Sequence, residues 1–258
     1  MLRLDLNADL GEHDGAPGAQ ALALLRVVTS ANIACGAHAG DDDSMRLTAR
    51  AAAELGVQVG AHPSFPDREG FGRRTLSLPP SRVREEVAGQ VARLVSLASR
   101  EGVVVRHVKP HGAMYNLAAH DRVVADAIAA GIVDVDASLA VYAPYATALA
   151  SASGAAGLRV VHEGFLDRAY EDDGSLTPRT IDGAVLHDVA AASTRAIEWV
   201  RTGTVIARSG RRLTLPLASL CVHGDTPDAV AIATQARATL EAAGVRLMPA
   251  LDAGAPRA

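Results

Sequence analysis

Short apolar runs rich in β-branched residues alternate with alanine-rich segments of helical length, and this alternation limits the possible folds more than any other feature. The runs at residues 2–6, 28–33, 57–61, 103–108, 139–142, 158–161 and 219–222 read as strands, with an eighth candidate at 245–248. Helices are expected over 19–27, 44–55, 81–101, 122–130, 145–152, 185–200 and 227–243. Leu55-Gly56-Val57, Glu101-Gly102-Val103 and Ala243-Gly244-Val245 repeat one device, a glycine that ends a helix one step before the next strand. Strict βα alternation implies parallel strands joined by right-handed crossovers. Seven or eight such units in 258 residues predict a single closed or nearly closed (β/α) barrel over 1–258, an open doubly wound sheet being the alternative. Residues 204–217 break the rhythm with a hairpin signature around Ser209-Gly210.

Hydrophobic residues make up 49% of the chain and aromatics only 3%, so Ala, Val and Leu must fill the core. A formal net charge of −4 argues against a nucleic-acid partner bound through wholesale phosphate neutralisation. The N-terminus is polar and acidic from the fifth residue and has no secretory pattern. No stretch reaches the roughly 18 apolar residues of a membrane span, so a cytoplasmic protein without a membrane partner is expected. Cys35 and Cys221 form no CxxC pair and read as small buried hydrophobes.

Polar clusters follow the apolar runs on their C-terminal side, where a barrel gathers all its strand ends on one face. They are Asn7-Ala8-Asp9-Leu10-Gly11-Glu12, residues 30–41, Gly60-Ala61-His62-Pro63-Ser64, residues 109–116, Glu163-Gly164-Phe165-Leu166-Asp167-Arg168 and Cys221-Val222-His223-Gly224-Asp225. Alternation in the first strand puts Leu4, Leu6 and Leu10 on one face and Asp5, Asn7 and Asp9 on the other. Buried carboxylates need partners, so Asp5 and Asp9 are expected to meet cations or strong donors, with Lys109 and the histidines as the obvious candidates. Lys109 is the single lysine among 25 basic residues. A site that keeps lysine in an arginine-using chain needs a compact charge with rotatable donors, or a pKa that burial can lower. His38, His62, His111 and His223 stand in strand-end turns and are read as functional. His13, His120 and His187 are read as surface, and His107 and His162 as either core or site. Arg73 and Arg74 are either solvated or anion-binding. The chain has no GxxxxGK[ST] loop, GxSxG or HExxH.

These motifs, with Gly70-Phe71-Gly72-Arg73-Arg74 and residues 107–116, resemble the LamB/YcsF family over essentially the whole chain, in order and at natural spacing. Ala37 stands where that pattern has phenylalanine, and Gly164 and Leu166 where it has a bulkier and a smaller residue; these changes are expected to reshape the pocket wall. The resemblance implies an irregular seven-stranded (β/α) barrel of the glycoside hydrolase/deacetylase kind. It also implies the conversion of 5-oxo-L-proline, ATP and water to L-glutamate, ADP and phosphate. Family members act as the A component of a 5-oxoprolinase with partner subunits B and C, and ATP is expected with Mg2+ and with the partners' help.

A lactam is a poor electrophile, and phosphorylation of its oxygen by ATP would make that oxygen a leaving group. On this expectation Lys109 steadies the phosphoryl or tetrahedral oxygen. Asp9, with Asp5 or Glu12 nearby, activates water, and His62 or His111 protonates the ring nitrogen. Arg74 or Arg168 clamps the substrate carboxylate. Asn7, Asn32, His38, Asn116, Asp167 and His223 complete the substrate-binding set. No resident metal is expected. The competing readings are a metal-dependent amide or acetyl hydrolase built on Asp9, His38 and His62, and a non-catalytic 5-oxoproline-binding subunit.

Overall fold

The computed structural model describes residues 2–224 and 228–252. Asp225 of the last polar cluster, the start of the helix expected from Pro227 and the end of the 1–258 span lie outside those residues. The strands are β1 (Arg3–Leu10), β2 (Ser30–Ala34), β3 (Gln58–His62), β4 (Val105–Val108), β5 (Ala140–Ala143), β6 (Arg159–Phe165), β7 (Thr204–Ile206), β8 (Arg212–Thr214), β9 (Ser219–His223) and β10 (Arg246–Leu247). The staves β1 to β6 and β9 pair in parallel, and β9 returns to β1 from Asp5↔Ser219 to Asp9↔His223, closing a seven-stranded barrel. A register shift at Val59/Gly60 makes it irregular. The eighth candidate, β10, is no stave: it pairs only with Arg3 and Leu4 at the start of β1. The expected hairpin is present as antiparallel β7 and β8.

The helices are α1 (Ala19–Leu25), α2 (Asp42–Glu54), α3 (Pro80–Arg100), α4 (Gly112–His120), α5 (Arg122–Val135), α6 (Ala148–Ala155), α7 (Val189–Thr202) and α8 (Ala229–Ala242). Their starts follow local chemistry. The Asp41 carboxylate accepts from Ser44 N–H (2.7 Å) while Ser44 Oγ accepts from Asp41 N–H (2.8 Å), and this reciprocal cap opens α2. Asp121, Thr147 and Asp188 cap α5, α6 and α7. α4 is a helix that sequence pattern alone does not reveal, because Pro110-His111-Gly112 reads as a turn. Among the described residues no helix is long and apolar enough to cross a membrane.

The core lies between staves and helices. Leu4, Leu6, Ala8 and Leu10 are buried on the outer face of β1, while Asp5, Asn7 and Asp9 are buried on the inner face. Gly164 faces outward from β6, where a Cβ would stand 2.4 Å from the Trp199 ring of α7. Trp199 is pinned by its Nε1–H bond to Leu215 O (2.7 Å), so the ring cannot slide away. The missing bulk at 164 is therefore filled from α7, and the expected reshaping of the pocket wall there does not occur. Gly164→Ala should lower stability by about 1–3 kcal/mol through overpacking. A drop of roughly 2–4 °C in unfolding midpoint per kcal/mol would show it in calorimetry, and an unchanged midpoint would refute the packing argument.

Candidate active site

The barrel's interior is polar from floor to mouth. Asp5 lies at the floor, fully buried, and accepts hydrogen bonds from Thr29 Oγ1 (2.6 Å), Ser30 Oγ (2.7 Å), Tyr142 Oη (3.0 Å) and Ser219 Oγ. The strong donors expected for Asp5 are thus four hydroxyls rather than Lys109 or a histidine among the described residues, and burial pushes its carboxyl pKa up. One layer higher, Asn7 and Asn32 link the staves. Asn32 donates to Asn7 Oδ1 (2.7 Å) and to Asp9 Oδ1 (2.8 Å), and its own oxygen accepts from His107 Nε2 (2.8 Å). His107 is thus part of the scaffold; burial lowers its pKa to about 3, so the ring is neutral.

Lys109 follows β4 and is 2% exposed. Its Nζ lies 3.0 Å from Asp9 Oδ1, 3.2 Å from Glu163 Oε2 and 3.0 Å from Cys221 Sγ, and sits 5.0 Å from the centre of the Phe165 ring. Burial alone would lower its pKa, but Asp9, Cys221 and Glu163 together raise it well above the usual lysine value. The balance is reasonable: each ion pair contributes roughly 5 kcal/mol at an effective dielectric of about 20. Desolvating the ammonium costs several kcal/mol. Lys109 is therefore a fixed cation. A Schiff-base or proton-donor role, open to a lysine with a lowered pKa, is not available to it.

Glu163 is a site residue that the sequence-based set lacks. Its Oε1 accepts from Tyr115 Oη (2.8 Å) and its Oε2 from Asn7 Nδ2 (3.3 Å). Inward parity with Phe165 would find it, were the strand read past residue 161. Asp9 is likewise held as an anion. Burial opposes this, but His62 and Lys109 draw its carboxyl pKa well below the ordinary value.

The histidines form a chain whose protons can be counted. His62 Nδ1 lies 2.6 Å from Lys109 O, and His111 Nε2 lies 2.9 Å from Phe71 O; carbonyls only accept, so both nitrogens carry hydrogen. His62 Nε2 and His111 Nδ1 meet at 3.0 Å, which requires one more proton between them. Three protons on two rings make the pair a monocation. Burial, His62 and His38 hold the His111 pKa well below normal, and His62 Nε2 also lies 3.4 Å from Asp9 Oδ2. Gly72 (φ 64°) lets the loop lie against these rings, since a Cβ there would be 2.8 Å from His111 Cδ2.

Among the described residues the set that could hold a metal is Glu12, His38, His62 and His111, whose ligand atoms lie within 4.8 Å of one another, rather than Asp9, His38 and His62. His38 and His111 are stacked, with centroids 3.8 Å apart and planes within 1°. Their nitrogen lone pairs therefore lie in two parallel planes. An ion about 2.0–2.1 Å from each nitrogen could not lie in both planes. The rings present do not fit one ion bound by all four groups. Instead His38 shares hydrogen bonds with Ser64 Oγ (2.9 Å) and Glu12 Oε1 (3.3 Å), and burial lowers its pKa to about 3.

Above these groups opens a cavity of about 1060 Å³, lined by Asp9, His62, Lys109, His111 and His223 among others. Asn116 and Arg168 also line it, whereas Asp167 is fully buried behind His223. Arg168 is tied to backbone oxygens of Ala184 and Thr177. Arg74 is a correction: its guanidinium turns to Asp67 and Glu69 and is 60% exposed, and its neighbour Arg73 lines the cavity instead. Cys35 and Cys221 are both buried and free.

The model of the LamB/YcsF family matches residues 4–254. A protein from Symbiobacterium thermophilum, named as the A subunit of 5-oxoprolinase, is 48% identical over 245 residues, 94% of each chain. One of the same name from Pyrococcus abyssi is 44% identical over 255 residues, 97% of this chain and 99% of that one. The crystal structure of a lactam utilization protein from Thermus thermophilus superposes with a TM-score of 0.89 at 40% identity, covering 96% of this chain and 99% of the other. With that match over nearly its full length, the chain belongs to the LamB/YcsF family.

Proposed function

We propose that this chain opens the lactam ring of 5-oxo-L-proline to L-glutamate in an ATP-dependent reaction, as the A component of an assembly with subunits B and C. The names of its relatives support the substrate and the subunit role. The observation that carries the chemistry is the permanent Lys109 cation beneath an open cavity, beside the protonated His62–His111 pair. Lys109 faces the oxygen that gains charge as the carbonyl carbon becomes tetrahedral. The His62–His111 pair gives its proton to the departing ring nitrogen, and Asp9 holds that proton near His62 until then. ATP, with Mg2+, drives the reaction by phosphorylating the lactam oxygen, a step that the partner subunits support.

The test is glutamate release from 5-oxoproline, measured for this chain alone and with subunits B and C, each with and without ATP. Release that requires all three subunits and ATP is expected. Release by B and C without this chain would overturn the assignment, as would 5-oxoproline binding by this chain with full turnover retained after Asp9→Asn.

A further inference from the structure

We infer that His223, oriented by Asp167, is the general base that takes the proton of the attacking water; this rests on the ring-opening reading above. Asp9 is a poor base, because Lys109 and His62 keep its carboxylate from accepting a proton. His62 and His111 carry the shared proton, so they serve as acid. Among the described residues lining the cavity, the remaining histidines are His120, exposed at the end of α4, and His223.

The surroundings of His223 suit a base. Its Nδ1 lies 3.0 and 2.9 Å from the two oxygens of Asp167. Burial raises the Asp167 pKa, but His223, Arg168 and Arg179 outweigh it and keep the carboxylate ionised. An anionic acceptor requires hydrogen on Nδ1, so the lone pair of the neutral ring falls on Nε2. Phe165 stacks on the imidazole with centroids 5.2 Å apart and planes 12° from parallel, which fixes its orientation. Among the described residues Nε2 makes no hydrogen bond, and the ring lines the cavity. Asp9, its register partner on β1, also bears on it.

Acid and base then come from different parts of the barrel rim, and Lys109 lines the same cavity. Written for the O-phosphorylated lactam, in which phosphoryl transfer has displaced the N–H proton and left a C=N bond, the step balances. The water oxygen bonds to the ring carbon, one water proton passes to His223 Nε2, and the C=N π pair moves to the nitrogen, which takes the proton of the His62–His111 pair. The C–N bond then breaks: the nitrogen leaves with its electrons and takes the proton from His223, while the new hydroxyl returns its proton to the histidine pair as it becomes the carbonyl of an acyl phosphate. A second water hydrolyses that acyl phosphate to carboxylate and inorganic phosphate, and the proton released completes the product ammonium.

The test uses the assembled enzyme with ATP under conditions where wild-type releases glutamate. His223→Gln should lower kcat by about 10²–10⁴-fold and leave KM within about threefold. Asp167→Asn, of the same volume, should also lower kcat at unchanged KM, because the amide donates to Nδ1 and moves the ring proton to Nε2. Added imidazole should restore part of the rate of His223→Ala, which a structural role would not allow. Wild-type kcat in either isosteric variant, or a raised KM alone, would overturn the assignment. If His223→Gln fails to fold, Asp167→Asn decides. Lys109→Met belongs in the same assay: if it too turns over normally, the ring-opening reading fails rather than this one.

Discussion

Replacing Lys109 with methionine should abolish glutamate release and also destabilise the fold. Lys109 is buried against two carboxylates, Asp9 and Glu163. Removing one partner of a buried ion pair strands the other charge, at a cost of about 3–5 kcal/mol. Inactivity of the single variant would therefore be ambiguous. Adding Glu163→Gln removes one stranded carboxylate and should recover part of the unfolding midpoint while leaving turnover absent. The pH dependence gives a second control. Wild-type Asp9 has a depressed pKa, so its contribution is present above the unfolded value of about 3.9 and is lost as pH falls through the folded value. Without the ammonium one of the groups that hold Asp9 ionised is gone, so the single variant should lose less stability than wild type as pH falls. A folded double variant with wild-type turnover would remove Lys109 from the chemistry.

The architecture is legible because βα alternation leaves few alternatives, and the glycine stops at Gly56, Gly102 and Gly244 mark helix ends cleanly. The site is legible as a set of strand-end clusters, since a barrel must bring those ends together. What cannot be read follows from one physical fact: this barrel's interior is polar. Hydrophobic pattern ends a strand at its last apolar residue, yet β1 continues to Leu10 and β6 to Phe165, because inward polar residues still pair along the ladder. Stopping β6 at residue 161 leaves Glu163 in a strand-end cluster with no assigned direction, and the alternation that turns Asp9 inward does not show how strongly its neighbours suppress its basicity. Arg74 is misassigned for another reason. Neighbouring arginines in a loop have no periodicity, so only the fold reveals that Asp67 claims Arg74 and leaves Arg73 to the cavity.

Asp5→Ala should destabilise the protein by about 4–6 kcal/mol without touching the reacting groups. Thr29 keeps a second acceptor in Leu6 O (3.1 Å), but Ser30, Tyr142 and Ser219 lose their shared anion at the sealed end of the barrel. Each buried donor left without an acceptor costs about 1–3 kcal/mol. The pH dependence separates this account from an ion-pair account. Burial raises the Asp5 pKa in the folded state, so the folded chain binds the proton more tightly than the unfolded chain. Asp5's contribution is then fullest below the unfolded value of about 3.9 and declines as pH rises to the folded value. Urea unfolding of wild-type and Asp5→Ala should accordingly differ more at about pH 4.5 than at about pH 7.5. A gap that widens towards neutrality would mean that Asp5 is held by a cation, and the four-hydroxyl description of the barrel floor would be wrong.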